Sequence, residues 1–576
     1  MVIEWDVPIT MDDGVVLRAD VFRPEGDAPC PVILSYGPYA KGLTFQEGYP
    51  DSWRILVEGH PEVMDGSTGA YQAWEVVDPE KWVPDGYACV RVDARGFGRS
   101  PGFADPWSPR ETRDLHDCIE WAGTSGWSNG RVGLCGISYF AMNQWLVAAT
   151  QPPHLAAIVP WEGLSDHYRD FWYHGGIRAT SPVTWHTRVI ETVQHGLGKR
   201  GATNPNTGEL ACGPGTLTDE ELAANRADWL GARRAQPLDG PFWADYRVDG
   251  PRVTVPLLSA GNWGGAGMHL RGNVEGFTAA ASDQKWLEMH TREHWTEFYT
   301  DHGVELQKAF LDHFLKGEDN GWDRRPRVTL RIRTVGDGFT ERSGDAWPLP
   351  GTEWRRLYLD PAGGRLLDEP PAEASSVSFE ALGDGLTFST PPLTSPFTFA
   401  GPVAAKLFID SSTTDADLFL VLRVFDPEGE EVVFKGAVDP HTPVGQGWLR
   451  ASHRKLDPVR SRPERPWHTH DEPSPLTPGV AEELDVELWP ASLVVPAGYR
   501  IALSVRGRDY EYEGSDEVAQ LSHFKGSAMR GCGIYLHDDE QDRPVAIYGG
   551  TTTVHTAPGR PSFLLLPGLP ESEATS

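Results

Sequence analysis

One segment constrains the architecture more than any other. Arg131-Val-Gly-Leu-Cys-Gly136-Ile-Ser138-Tyr139-Phe140 is a short apolar run that breaks at a serine and continues into Ala-Met-Asn-Gln-Trp-Leu-Val-Ala-Ala. Val132 to Leu134 predict a buried strand, Gly136 permits close backbone approach, and helix formers follow Ser138. A strand that turns into a helix on a serine is a nucleophile elbow, which lifts the hydroxyl clear of the sheet edge. Phe140 stands where the Gly-x-Ser-x-Gly pattern has its last glycine. The plain alternative is an ordinary Gly-x-Ser turn, so the flanking sequence has to decide.

The flanks alternate strands and helices. Residues 8–23 predict a hairpin that turns at Asp12-Asp13-Gly14. Pro31–Ser35 and Tyr87–Asp93 read as buried strands, and a helix is expected over roughly 112–123. Leu155–Pro160 is the strand after the elbow helix. Such alternation implies a mainly parallel sheet covered on both faces. From 163 to 250 the pattern changes to helical patches and Gly-rich loops rich in His, Trp and Tyr, read as an inserted cap. Strand and helix signals return at Val253–Ser259, Lys285–Met289 and Glu305–Leu315, and Arg327–Arg333 would close the sheet. Past 346 helical signals nearly vanish, and alternating segments such as Asp417–Phe425 and Tyr499–Val505 recur between Gly/Pro turns. That pattern predicts a β-sandwich of jelly-roll type. The expected fold class is therefore α/β: a core in two parts (1–162 and 251–345), a cap (163–250) and a jelly roll (346–576).

Composition removes whole function classes. A chain of 576 residues needs several cores. The net charge of −31, spread along the chain, disfavours nucleic acid and anionic membrane as partners. Six widely spaced cysteines without a Cys-x-x-Cys pair read as reduced thiols rather than a disulfide framework. No run of about 18 apolar residues occurs, and the start lacks a basic-then-apolar leader, so the expected location is cytoplasmic.

A serine needs a base and oxyanion donors before it can attack a carbonyl. His290 and His294 come late enough in the α/β portion to supply the base. The same residues offer a rival reading, because His290-Thr-Arg-Glu293-His294 matches the His-x-x-Glu-His zinc signature. That signature belongs on a helix, whereas this segment follows a β-type run. The loop Gly96-Phe-Gly98-Arg-Ser-Pro101-Gly102 departs from dinucleotide spacing, and Pro101 spoils the helix start, so it reads as a structural loop.

Taken together, Tyr36-Gly-Pro-Tyr39-Ala-Lys, Asp93-Ala-Arg-Gly-Phe-Gly-Arg-Ser-Pro-Gly, Trp127 through Ser138-Tyr139 and a terminal jelly roll resemble the X-Pro dipeptidyl-peptidase and cocaine-esterase-like hydrolases, the CocE/NonD family. The similarity spans nearly the whole chain, and the Gly-x-Ser-Tyr form accounts for Phe140. The resemblance implies Ser138 as nucleophile, His294 as base, and the Tyr139 amide with the Tyr39 phenol as oxyanion donors. It implies Trp172 as an aromatic wall of the acyl pocket, and Trp263, beside the stretch that should carry the acid, is a further candidate for substrate contact. No metal and no organic cofactor are implied.

One member of the expected triad is missing. The family's acid would follow Pro256-Leu-Leu-Ser-Ala-Gly-Asn262-Trp263-Gly264-Gly265, and the matching position is glycine. No Asp or Glu occurs from 251 to 274. Without an acid the imidazole is neither oriented nor stabilised as a cation. Glu162, at the end of the strand after the elbow helix, is the expected substitute, ahead of Asp166, Glu275 and Glu293. Its plain alternative is a solvated loop charge. The expected function is a serine hydrolase that cleaves carboxylic esters or amides of small molecules through an acyl-enzyme. Alternatives are an X-Pro dipeptidyl aminopeptidase, an α-amino-acid ester hydrolase, or a catalytically impaired binding protein on the same fold. A homodimer is left open.

Overall fold

The computed structural model describes residues 1–513 and 531–570; the remainder of the expected jelly roll lies outside them. The first sheet contains strands β1 (Val2–Thr10), β2 (Val16–Arg23), β3 (Cys30–Gly37), β4 (Ala88–Asp93), β5 (Ser128–Ile137) and β6 (Leu155–Trp161). A two-stranded hairpin, β7 (Tyr173–His174) and β8 (Ile177–Arg178), lies in the segment that follows. The sheet resumes with β9 (Leu257–Asn262), β10 (Lys285–His290), β11 (Val328–Arg333) and β12 (Phe339–Gly344). Its order is β1-β2-β4-β3-β5-β6-β9-β10-β11-β12. The central run from β4 to β11 is parallel, and antiparallel strands β1, β2 and β12 finish the edges.

Burial explains the strands. β3 and β4 are buried along their whole length, and β5 from Val132 onward, as strands covered on both faces must be. Each fully buried Val, Leu or Ile contributes about 1.5–3 kcal/mol. Every residue of the helix Tyr139–Ala148 is buried, so this helix is a core element rather than an amphipathic cover. Its amide side chains donate inward: Asn143 to the Tyr36 carbonyl at 2.6 Å and Gln144 to the Phe140 carbonyl at 2.8 Å. The helix Pro109–Thr124 starts where Ser108 caps it, accepting from the Glu111 amide, with proline in the first turn.

Two expectations need adjustment. The strand expected at Val253–Ser259 begins at Leu257 and runs to Asn262, because Gly250–Arg252 forms a short 3₁₀ turn. β11 does not close the sheet: β12 pairs antiparallel with it, from Val328↔Gly344 to Arg333↔Phe339. Its polar, exposed pattern hid it from a search for apolar strands.

Among the described residues the second sheet has eleven strands, built on the long antiparallel pair Phe397–Ser411 and Glu482–Val495. Phe563–Gly568 pairs with both Glu353–Asp360 and Phe397–Ser411, which curls the sheet into a barrel. Alternating residues such as Leu407, Leu418, Leu484, Leu503 and Leu564 fill its interior. No helix among the described residues is long and apolar enough to cross a membrane.

Candidate active site

Ser138 follows β5 directly and sits at φ +56°, ψ −115°. A non-glycine residue there is strained, a cost of the order of 1–3 kcal/mol that surrounding bonds must hold in place. Those bonds are visible. The Ser138 amide donates to the carbonyls of Trp161 and Glu162 at 3.1 and 3.2 Å, and the Ile137 amide to the carbonyl of Glu75 at 3.0 Å. Phe140 is accommodated because Gly37 and Gly136 carry no side chain: a Cβ on Gly37 would come within 2.6 Å of its ring, and one on Gly136 within 2.6 Å of its Cβ. The elbow thus exchanges its usual last glycine for two glycines on neighbouring strand ends.

Ser138 lines a cavity of about 50 Å³ with Tyr39, Glu75, His269, His294 and Tyr535. Glu162 follows β6 at φ +47° and is completely buried. Its Oε2 lies 2.8 Å from His294 Nδ1, and its Oε1 meets His290 Nε2 at 3.0 Å and Asn262 Nδ2 at 3.2 Å. Glu75, also at positive φ (+63°) and buried, lies 2.9 Å from His294 Nε2. The rings of His269 and His294 stack at 4.8 Å and 10°, and His269 Nε2 is 3.5 Å from Ser138 Oγ.

These contacts set the charges. Burial alone would raise the Glu162 carboxyl, yet the His294 charge and the hydrogen bonds from His290 and His294 hold it at about 2. Burial works against the His294 cation, but two carboxylates outweigh it and raise the imidazole to about 10. Glu75 is pushed up to about 7 by burial, with His294 resisting. His269 is lowered to about 3 by burial and by the neighbouring His294 charge, so it is neutral. The result is one proton shared between His294 and Glu75 beside a neutral imidazole that touches the serine.

The structure brings most of the sequence-selected residues together. Tyr39 lines the cavity together with Ser138, and burial raises its phenol well above its ordinary pKa. The Tyr139 amide begins a helix, where N–H groups lack intrahelical partners. Its phenol is committed 2.5 Å away to Glu111, which leaves the amide as the group for an oxyanion.

Other placements differ from expectation. His294 does not contact Ser138 through its free nitrogen, which Glu75 occupies; His269 makes the serine contact instead. Trp172 is not part of the cavity wall: the turn Tyr168–Trp172 points it at Trp229 and Trp243, and Phe171 lines the cavity in its place. Trp263 is likewise buried elsewhere, donating to the Arg331 carbonyl at 2.9 Å. The weaker acid candidates are engaged away from the serine. Asp166 pairs with Arg169 and Arg247, Glu275 with Arg465, and Glu293 with Lys435 and Thr296. His290 ends a strand and shares Glu162 with His294, so the His-x-x-Glu-His trio is not on one helical face.

His269 and Glu75 escaped the sequence reading. His269 precedes the helix Leu270–Ala279, in the very loop where an acid was sought and only acids were considered. Glu75 sits in Tyr71-Gln-Ala-Trp-Glu-Val-Val, which carries no motif; only the three-dimensional bond of its carbonyl to the elbow strand singles it out.

Comparison with known proteins places this geometry in a lineage. The sequence model of the X-Pro dipeptidyl-peptidase (S15 family) matches residues 13–296, and that of the X-Pro dipeptidyl-peptidase C-terminal non-catalytic domain matches 320–565. A crystal structure of a CocE/NonD family hydrolase from Staphylococcus aureus superposes with a TM-score of 0.83 at 30% identity, covering 98% of this chain and 94% of its own. A cocaine esterase from Rhodococcus sp. is 24% identical over 98% of each chain. An α-amino-acid ester hydrolase shares the fold at TM-score 0.65 and 18% identity over 98% of this chain and 96% of its own. With an α/β core, an elbow serine and a C-terminal β domain in that order, this chain belongs to the CocE/NonD family of serine hydrolases.

Proposed function

We propose that this protein cleaves small carboxylic esters through an acyl-enzyme on Ser138, with His294 as the base and Glu162 as its orienting acid. The observation that carries this reading is the 2.8 Å contact between Glu162 and His294 Nδ1, beside a serine held in an elbow. The contact fixes the tautomer that leaves Nε2 for the serine proton. Transfer of the shared proton to Glu75 discharges His294, and Nε2 then needs only to exchange Glu75 for Ser138 Oγ. Bonds of this kind tighten on substrate binding. Ser138 Oγ attacks the ester carbonyl, and its proton passes to His294. The Tyr139 amide and Tyr39 phenol hold the oxyanion. His294 returns the proton to the departing alkoxide, and water repeats the sequence in reverse to release the acid.

The cavity wall of Trp74, Phe171, Trp185, Val189, Val438 and Ile534 suits an apolar acyl group. The dimensions favour a short one. The relative named as a cocaine esterase supports ester cleavage. Six buried free thiols are compatible with a reducing, cytoplasmic setting.

A second reading makes His269 the base, favoured by its neutrality and its 3.5 Å contact with Ser138. A fluorophosphonate probe with His269→Ala and His294→Ala separates the two. Labelling of Ser138 that survives loss of His269 and disappears with His294 supports the first reading. The reverse pattern makes His269 the base, and labelling away from Ser138 overturns both.

A further inference from the structure

The glycine-rich loop at 96–102 takes no part in the chemistry above, yet it is tied to the segment that presents Tyr39. The tie is Asp93, the last residue of β4, which stands beside Gly37 at the end of β3. It is buried, and its two carboxylate oxygens serve two different loops. Oδ1 accepts from the Lys41 amide at 2.6 Å and Oδ2 from the Arg99 amide at 2.8 Å, while the Asp93 carbonyl accepts from Ser100 Oγ at 2.7 Å. Gly98 makes the fit possible: at φ +52° it passes so near that a Cβ would lie 2.3 Å from the carboxyl group.

Lys41 is held at its other end as well. Its side chain is 4% exposed, with Nζ 2.7 Å from Asp20 Oδ1 and 3.5 Å from Asp6 Oδ1. Burial works against this cation, but the charges of Asp93 and Asp20 outweigh it. A buried ammonium persists only when it is paired in this way. Between Tyr39 and Lys41 lies Ala40, buried and at φ +59°. That conformation costs a non-glycine residue about 1–3 kcal/mol and survives only where its surroundings impose it. The Lys41 amide on Asp93, and the Leu43 amide on the Ala40 carbonyl at 2.9 Å, are those surroundings.

An oxyanion donor is effective only if its direction is set before the reaction. The Tyr39 ring meets Tyr49, Tyr139 and Phe140 edge-on or tilted at 5.6–6.4 Å, so its backbone has to set much of that direction. We infer that Asp93 is a positioning residue for Tyr39: it clamps Lys41 to the glycine-rich loop, keeps Ala40 in its strained turn, and so fixes how the phenol enters the catalytic cavity. The Arg99 amide holds the far oxygen of the carboxylate, which leaves the near one facing Lys41. This role rests on the reading of Tyr39 as an oxyanion donor.

Steady-state hydrolysis of 4-nitrophenyl acetate by the full-length protein, with and without Tyr39→Phe, tests the clamp. Asp93→Asn keeps the shape but turns one acceptor into a donor, so one of the two amides loses its partner. It should lower kcat about tenfold with KM retained, because a misplaced donor weakens the transition state and not the substrate complex. In the Tyr39→Phe background the same substitution should change kcat by less than about twofold, since the donor it positions is already gone. Asp20→Asn leaves Lys41 Nζ an oxygen but removes a charge. It should cost several-fold in kcat, again only with Tyr39 present, and this milder variant decides the matter should Asp93→Asn not fold. Equal losses in both backgrounds would make the clamp a support of the fold only and overturn the inference. If Tyr39→Phe alone keeps full kcat, the oxyanion reading falls and the clamp with it. An impaired Tyr39→Phe beside fully active Asp93→Asn and Asp20→Asn would overturn the clamp alone.

Discussion

The two sheets solve the problem of burying polar groups in opposite ways. In the jelly roll, polarity inside is met by fixed pairs: Arg450 with Asp417 and Asp542, and Arg423 with Glu431. Asp417 also holds Arg543 at 2.9 Å, so each of these guanidinium groups is matched to a carboxylate. At the C-terminal ends of the parallel strands β5, β6, β9 and β10, three imidazoles and two carboxylates are buried around one serine, with no arginine or lysine among the described residues to balance the carboxylates. Three of these residues, Ser138, Glu162 and Glu75, have positive φ. None of the jelly-roll pairs named above does. Strain and unsettled protons concentrate where parallel strands end, which is where open α/β sheets place ligands.

The sharpest way to break this contrast is at the nucleophile. Ser138→Ala should lower ester turnover by about a million-fold, the scale seen when a triad serine is removed. Mass spectrometry after fluorophosphonate treatment should find the wild type labelled once and the variant unlabelled. Retained turnover would move the reactive group elsewhere. Glu162→Gln comes next, because it keeps the shape but removes the charge that settles His294. Turnover should fall by up to about 10⁴ with KM nearly unchanged. Equal activity would mean that the contact at 2.8 Å is structural only.

Much of this was legible in the sequence, for identifiable reasons. Ser138 was readable because an elbow leaves a composite signature: β-type run, serine, helix formers. Glu162 was reachable by elimination, since the stretch 251–274 has no acid and the neighbouring strand end is the nearest alternative position. Asp417–Phe425 showed its alternation plainly and forms a strand with those limits. The exposed polar strand β12 and the site residues His269 and Glu75 were not legible. Their roles depend on pairing across the fold rather than on local pattern: β12 on the edge of β11, His269 on a ring stack, Glu75 on a bond from β5. Trp172 and Trp263 show the converse error. The resemblance assigned Trp172 to the cavity wall, and its neighbour Phe171 lines the cavity instead.

Effects of intermediate size test how the unsettled protons are managed. Tyr39→Phe removes a preorganised donor and should lower kcat by about a hundred-fold or more while leaving KM close to wild type. An equal kcat would reduce Tyr39 to packing. Glu75→Gln should cost only about tenfold at neutral pH, but it should reshape the pH profile. The wild-type pair titrates in two steps, near 7 and near 10. Without the Glu75 charge, His294 keeps one carboxylate instead of two, so its proton leaves at lower pH and a single step replaces the upper one. A kcat/KM profile that keeps both steps in Glu75→Gln would detach Glu75 from the base.

The smallest effect probes the contribution of the jelly roll to the site. Its loop at 436–438 is bonded to the catalytic side at two points: the His294 amide donates to the Ala437 carbonyl at 2.9 Å, and the Ala437 amide to the Gly264 carbonyl at 3.0 Å. Val438, next along, lines the cavity with Ile534 and Tyr535. Apart from the Tyr535 phenol these groups are apolar or backbone, so under the proposed mechanism the jelly roll would supply shape and support while the strand ends supply protons. Val438→Ala leaves both backbone bonds in place and removes two methyl groups from the wall. At about 0.8 kcal/mol per buried carbon, KM for an ester with an apolar acyl group should rise no more than about tenfold, with kcat retained. Steady-state kinetics with a short and a longer acyl ester would read this directly, the longer one gaining from the added room. A loss concentrated in kcat would show that the wall also steers His294, and the division of labour between the two sheets would be less clean than their polar groups suggest.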